Sequence, residues 1–229
     1  MRIPASPSGR RNRRLPWLCC LCRTIAGPAR CQRPMAHVIL VRHPPVDRAW
    51  EGRCYGRRDM GLSRVGQAMI PALCEQLAAL GPDRIIHSGL RRTRVLAERL
   101  GMRLGIVPAI APDWRERDFG AWEGRTWQSI YRATGNAMDG MIDNPLGFRP
   151  GTNGETTQEL LERIERALRD LPEHGLIAII SHGGPIAVAR QLLTGGSISG
   201  LATKIIAPAT FITIEAYPNA GRCRAALPS

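Results

Sequence analysis

Apolar residues fall along this chain in short runs that alternate with helical stripes. His37-Val-Ile-Leu-Val41 is a β-branched run that predicts a buried strand. Leu62 to Leu80 has helical spacing, a cap at Ser63 and a stop at Gly81, and Pro71 inside it predicts a kink or a break. Arg84 to Ser88 predicts a second strand, Leu90 to Leu100 a helix stopped by Gly101, and Leu104 to Pro108 a third strand. Thr156 to Leu171 is amphipathic, with Leu160, Leu161, Ile164, Leu168 and Leu171 on one side. Leu176 to Ser181 predicts a central strand, about Pro185 to Leu193 a helix, and Ala209 to Ala216 a last strand. Strands alternating with helices predict an α/β fold, a three-layer sandwich with a mostly parallel sheet and helices on both faces. Residues 135–154, rich in Gly, Asn and Pro, predict an inserted loop or lid, and no internal repeat is evident.

Composition narrows the class. The 229 residues are 44% hydrophobic and 22% charged, enough for a real core and unlike a disordered or fibrous chain. No stretch of membrane-spanning length is free of charge, so no transmembrane helix is expected. The net charge of +13 first suggests a polyanionic partner, but it is unevenly spread. Residues 1–34 hold eight arginines and no acid, whereas residues 35–229 hold 24 basic and 19 acidic residues, a net of 24 − 19 = +5.

The tail has several readings. It carries Cys19, Cys20, Cys22 and Cys31, five prolines and no periodicity. A secretory or twin-arginine signal would have a short apolar core interrupted by Pro16 and followed by Arg23. A zinc site would lack a recurring paired spacing. The remaining reading is a dispensable extension, or sequence upstream of the natural start, since Met35 directly precedes the first strand. A nucleic-acid partner rests on this tail alone and would show salt-sensitive binding lost with residues 1–34. The expectation is thus an extension over 1–34 and a catalytic domain over 35–229. Three cysteines in the latter, an odd number, fit a reducing cytoplasm.

Ligands of open parallel sheets bind beyond the carboxyl ends of the strands. Arg42 and His43 follow the first predicted strand, Ser88, Arg91 and Arg92 the second, and Ser181-His182-Gly183-Gly184 the central one. Arginine forks bind phosphate oxygens, a neutral imidazole is a nucleophile, and glycines opening a helix let the backbone approach an anion. One such histidine alone reads as a buried structural residue. Two at equivalent strand ends, with arginines, read as parts for phosphoryl transfer without a metal or cofactor.

Val41-Arg42-His43 resembles the signature of the histidine phosphatase superfamily, which includes the cofactor-dependent phosphoglycerate mutases. Leu62-Ser63 with Gly66-Gln67-Ala68, Ser88 to Thr93 with Ala97-Glu98, Glu116 with Phe119-Gly120 and Trp122-Glu123-Gly124, Gly154-Glu155-Thr156 and Ser181 to Gly184 extend the resemblance over roughly residues 36–216. The resemblance implies that His43 attacks phosphorus and becomes a phosphohistidine. It implies that Arg42, Arg92 and His182 hold the phosphoryl oxygens, and that Glu116 protonates the leaving oxygen and then activates water. Asp118 and Glu123 are rivals to Glu116. Ser88 and Gly183 would shape the phosphate pocket. The family usually has Gly where Pro44 stands, so any amide contact to phosphate there is lost. Pro45 and Arg48 occupy the positions of an acidic residue and an asparagine typical of mutases, which argues against a mutase.

Cys54-Tyr55-Gly56-Arg57 and Thr152-Asn153-Gly154-Glu155 are similar to the α-ribazole phosphatase branch, which removes the 5′-phosphate of α-ribazole 5′-phosphate in cobalamin biosynthesis. Arg57 would then be a phosphate or ribose contact, or else an exposed loop arginine. The alternatives are a broad sugar-phosphate or phosphoglycerate phosphatase and a catalytically weak binding or regulatory module of the same fold. The expected partner is a small phosphorylated metabolite, with no specific nucleic acid and no membrane; the oligomeric state is not legible.

Overall fold

The computed structural model describes residues 37–135, 140–198 and 200–215, so the basic segment 1–34 and Ala216 lie outside the described residues. A five-stranded sheet runs in the order β3-β2-β4-β1-β5, with β1 His37–Arg42, β2 Arg84–His87, β3 Ala109–Ile110, β4 Leu176–Ser181 and β5 Phe211–Glu215. All pairings are parallel except β1 with β5. The central strands β1 and β4 read as unbroken apolar runs because helices cover both faces. Val38 and Leu40 point into one core with Leu160 and Ile164 of α5 (Thr157–Arg169) and Ile186 and Val188 of α6 (Gly183–Thr194). Ile39 and Val41 point into the other with Leu73 and Leu77 of α1 (Arg64–Ala79) and Leu96 and Leu100 of α2 (Arg91–Leu104). The period-two alternation of one strand thus supplies both cores of a three-layer sandwich.

The helix caps follow the sequence. Ser63 accepts from Gly66 N, and Thr156 forms a reciprocal capping box with Glu159. Other expectations are corrected. The helix read as ending at Gly101 continues to Leu104 and closes at Gly105, whose left-handed φ of 69° suits glycine. Gly101 serves close packing instead, since a Cβ there would lie 2.4 Å from Ile106 O. The third strand is therefore Ala109–Ile110, not Leu104 to Pro108. Helix α1 runs unbroken through Pro71, which is exposed. Helix α3 (Trp127–Thr134), which the sequence reading did not anticipate, precedes the 135–154 insertion, and that segment itself contains the short α4 (Gly140–Asp143).

Candidate active site

The sheet register brings the two histidines together. Arg42 pairs with Ser181, so His43 and His182 step off adjacent parallel strands at the same level. Their rings lie 5.1 Å apart at 60°, and both are almost wholly buried.

His43 is oriented from behind. Its Nδ1 lies 2.7 Å from Pro44 O. A carbonyl only accepts, so Nδ1 carries the proton and Nε2 holds the lone pair. Nε2 is buried and has no hydrogen-bond partner. Burial, then the nearby Arg92 and Arg42, push the His43 pKa down to about 3 against the opposing Pro44 carbonyl, which keeps the ring neutral. The proline that removes an amide thus leaves the carbonyl that orients the ring.

The arginines are held by main-chain oxygens. Arg92 has no exposed surface; its Nη2 donates to Gly56 O and its Nη1 to Arg58 O, both at 2.6 Å. Tyr55 stacks under its guanidinium at 5.3 Å. Arg42 donates through Nη1 to Ile206 O at 2.6 Å, while its Nε is buried and unpartnered. The site therefore holds an unpaired imidazole lone pair and an unpaired guanidinium N–H, costly to bury unless something arrives to meet them. Gly183 lets the backbone pass close, since a Cβ there would lie 3.5 Å from Arg42 Cζ and 2.8 Å from Ile205 Cγ2.

Glu116 reaches the first turn of α6. Its Oε1 accepts from Gly184 N at 3.1 Å and from Arg117 N at 3.0 Å. His182 is the residue that caps α6, so carboxylate and imidazole share one helix N-terminus. Of its two rivals, Asp118 accepts from Gly120 N and Arg57, and Glu123 accepts from Arg57 N and Phe119 N. Both are held by amides of their own loop and by Arg57.

Ser88 and Arg57 both make their contacts within the protein. Ser88 has no exposed surface, and its Oγ lies against His182 Nε2 and Thr93 Oγ1. Arg57 is held by three protein contacts: Nε donates to Glu116 O, Nη1 to Asp118 and Nη2 to Glu155. Glu155 is also held by both ends of the Arg163 guanidinium, each at 2.7 Å, and Arg163 in turn donates to Asp113 O and Arg115 O. Arg57, Arg163 and Glu155 therefore brace residues 113–118 around Glu116. The Gly154-Glu155-Thr156 motif marked this brace in the sequence; Arg163 looked like any polar position of an amphipathic helix.

A cleft of about 870 Å³ opens beside His43, lined among others by Trp50, Tyr55, Trp127, Arg48 and Arg64. Among the described residues no three His, Cys, Asp or Glu side chains gather as a metal-binding group. Cys54 is no rival nucleophile, because burial and then Glu123 and Glu116 push its thiol up to about 12.

The model of the histidine phosphatase superfamily (branch 1) matches residues 38–226. The chain belongs to this superfamily. The probable phosphoglycerate mutase GpmB of Escherichia coli O1:K1 is 31% identical over 152 residues, 65% of this chain and 70% of the relative. The GpmB of Cronobacter sakazakii is 31% identical over 165 residues, 70% and 76% of the two chains. A mycobacterial glucosyl-3-phosphoglycerate phosphatase superposes with a TM-score of 0.70 at 24% identity, covering 77% of this chain and 88% of its own. The α-ribazole phosphatase of Shigella flexneri superposes with a TM-score of 0.70 at 23% identity, covering 78% and 90%. These two structures share the fold. The chain is accordingly a phosphatase- or mutase-class enzyme of the histidine phosphatase superfamily.

Proposed function

We propose that this histidine phosphatase hydrolyses a phosphomonoester through a phosphohistidine on His43, and that its substrate is α-ribazole 5′-phosphate. The observation that carries the phosphatase reading is the buried, unpartnered Nε2 of His43, whose lone pair is fixed by the Nδ1 bond to Pro44 O. Nε2 attacks phosphorus as the bond to the leaving oxygen breaks, and Glu116, protonated, gives that oxygen its proton. Glu116 then takes a proton from water, the water oxygen attacks phosphorus, and the P–N bond breaks to release phosphate and free His43. Arg42, Arg92 and His182 hold the equatorial oxygens throughout, with Gly183 giving them room.

The substrate reading is supported by the cleft beside His43. Trp50, Tyr55 and Trp127 offer apolar faces suited to a flat aromatic base. Arg53, at the same cleft, is already bonded to Ala49 O and Gly124 O. A second reading, a sugar-phosphate phosphatase, is favoured by Arg48 and Arg64, which could meet a carboxylate or second phosphate. We assign the enzyme a small phosphorylated metabolite in the cytoplasm and no role in binding nucleic acid or membrane. Residues 1–34 are proposed as a dispensable extension of the 35–229 catalytic domain.

The test is kcat/KM for α-ribazole 5′-phosphate, glucose 6-phosphate and 3-phosphoglycerate, on the full chain and on the chain beginning at Met35. A clear preference for α-ribazole phosphate, lost in Trp127→Ala and alike in both chains, is expected. Equal rates on all three would favour the broad phosphatase. No turnover with any, despite phosphate binding, would favour the binding module.

A further inference from the structure

His182 stands at the head of a buried hydrogen-bond chain whose direction can be worked out link by link. Arg92 Nε lies 3.2 Å from His182 Nδ1. His182 Nε2 lies 2.8 Å from Ser88 Oγ, and Ser88 Oγ lies 2.9 Å from Thr93 Oγ1. Thr93 Oγ1 lies 2.8 Å from Leu90 O. None of the four side chains has exposed surface.

Both ends of the chain are fixed. A guanidinium only donates, so His182 Nδ1 must accept. A carbonyl only accepts, so the Thr93 hydroxyl hydrogen is committed to Leu90 O. The Ser88 hydrogen then goes to Thr93 Oγ1, and Ser88 Oγ is left to accept from His182 Nε2–H. Reversing any link would set two hydrogens, or two lone pairs, face to face in a dry interior, which costs free energy with no water to relieve it. The neutral ring is therefore held in one tautomer, with its proton on Nε2.

We infer that Ser88 and Thr93 are positioning residues that fix the Nε2–H tautomer of His182 and so reserve Nδ1, on the Arg92 side, as the atom that gains a proton when a dianionic phosphoryl group binds. This rests on the phosphohistidine reading for its consequence in turnover, but the tautomer itself does not. The added proton displaces the Arg92 Nε–H from Nδ1, so that the ring and Arg92 Nε can both donate to phosphoryl oxygens, while Ser88 continues to accept from Nε2–H and the Ser88 and Thr93 links stay as they are. Ser88 thus acts through His182 and does not touch phosphate. The role of Thr93 is invisible in the local sequence, because its hydroxyl matters only through a histidine 89 residues away.

The chain can be tested on the wild-type protein and on conservative variants. Nitrogen-15 spectra of the histidine rings in the free, full-length enzyme are expected to show His182 as a neutral ring with the proton on Nε2. Thr93→Val removes the acceptor of the Ser88 hydrogen, which turns back toward Nε2 and sets the Ser88 link against the Arg92 link; a partial shift of His182 toward the Nδ1–H form is expected, with kcat down about tenfold to a hundredfold. Thr93→Ser keeps the hydroxyl and is expected to restore both. Ser88→Ala is expected to lower kcat similarly. A wild-type His182 with its proton on Nδ1, or a Thr93→Val enzyme matching Thr93→Ser in spectrum and rate, would overturn the inference. If Thr93→Val does not fold, the wild-type spectrum and Ser88→Ala decide. Loss of the phosphohistidine reading alone would appear as wild-type turnover without phosphoenzyme and would leave the spectra as expected.

Discussion

Glu116 Oε1 rests 3.1 Å from the amide nitrogen of Gly184, in the first turn of the helix that His182 caps. The contact exists because residue 184 has no side chain: a Cβ there would lie 2.6 Å from that same oxygen. The carboxylate is thus seated by the absence of a methyl group on a neighbouring helix. Gly184→Ala is expected to keep the fold, since alanine is a better helix former than glycine, and to lower kcat more than tenfold with little change in KM. Thermal melts beside steady-state kinetics check this; an unchanged kcat would remove Glu116 from the acid–base role.

The brace behind Glu116 separates position from stability. Glu155 and Arg163 are both nearly buried and paired through two bonds. Glu155→Ala leaves Arg163 buried without its partner and is expected to cost about 3–5 kcal/mol in urea unfolding. Arg57 is partly open to solvent, and its ion pairs at 3.3 and 3.4 Å are long. Arg57→Ala is expected to cost no more than about 1 kcal/mol yet to lower kcat, since Arg57 also holds Glu116 O. A raised KM with unchanged kcat would instead return Arg57 to a substrate contact.

Stability is expected to fall on acidification from near neutrality. The His43 pKa moves from 6.5 to about 3 on folding, and burial moves His182 well below its ordinary value too. Below pH 6.5 the unfolded chain binds protons that these folded rings refuse, so their contribution is complete above 6.5 and is lost as pH falls toward 3. Each ring adds a slope of up to about 1.4 kcal/mol per pH unit in that window. Urea midpoints between pH 7.5 and 5 measure it, and His43→Gln should flatten the dependence. A flat profile in the wild type would mean the rings are not buried neutral.

Ala209 adopts a left-handed φ of 56°, and its amide donates to His43 O at 3.2 Å. That conformation is strained for a residue with a Cβ. Ala209→Gly is expected to stabilise the protein by up to about 1 kcal/mol, read as a raised melting temperature with the site unchanged. A loss of stability would show that the entropy of glycine outweighs the strain here.

Strand ends were the legible part of this protein. The runs before His43 and His182 are apolar throughout, because both faces of β1 and β4 are covered, and a polar pair directly after such a run stands out. The glycine at 101 misled because glycine serves both helix ends and tight packing, and only the distance to Ile106 O tells them apart. The partners of Arg57 were hidden for a related reason: a loop arginine near a phosphate motif looks free until Glu155, 98 residues on, is seen to hold it. The tautomers of both histidines were out of reach, since each depends on acceptors that only the folded chain supplies.

The central claim is that His43 Nε2 takes the phosphoryl group. Mixing the enzyme with a phosphorus-labelled phosphomonoester and quenching in base within milliseconds tests it most directly. The expected result is a base-stable, acid-labile label on the peptide carrying His43, absent in His43→Ala together with all turnover. Full turnover with no label on His43, or substantial activity in His43→Ala, would contradict it and point to direct attack by water.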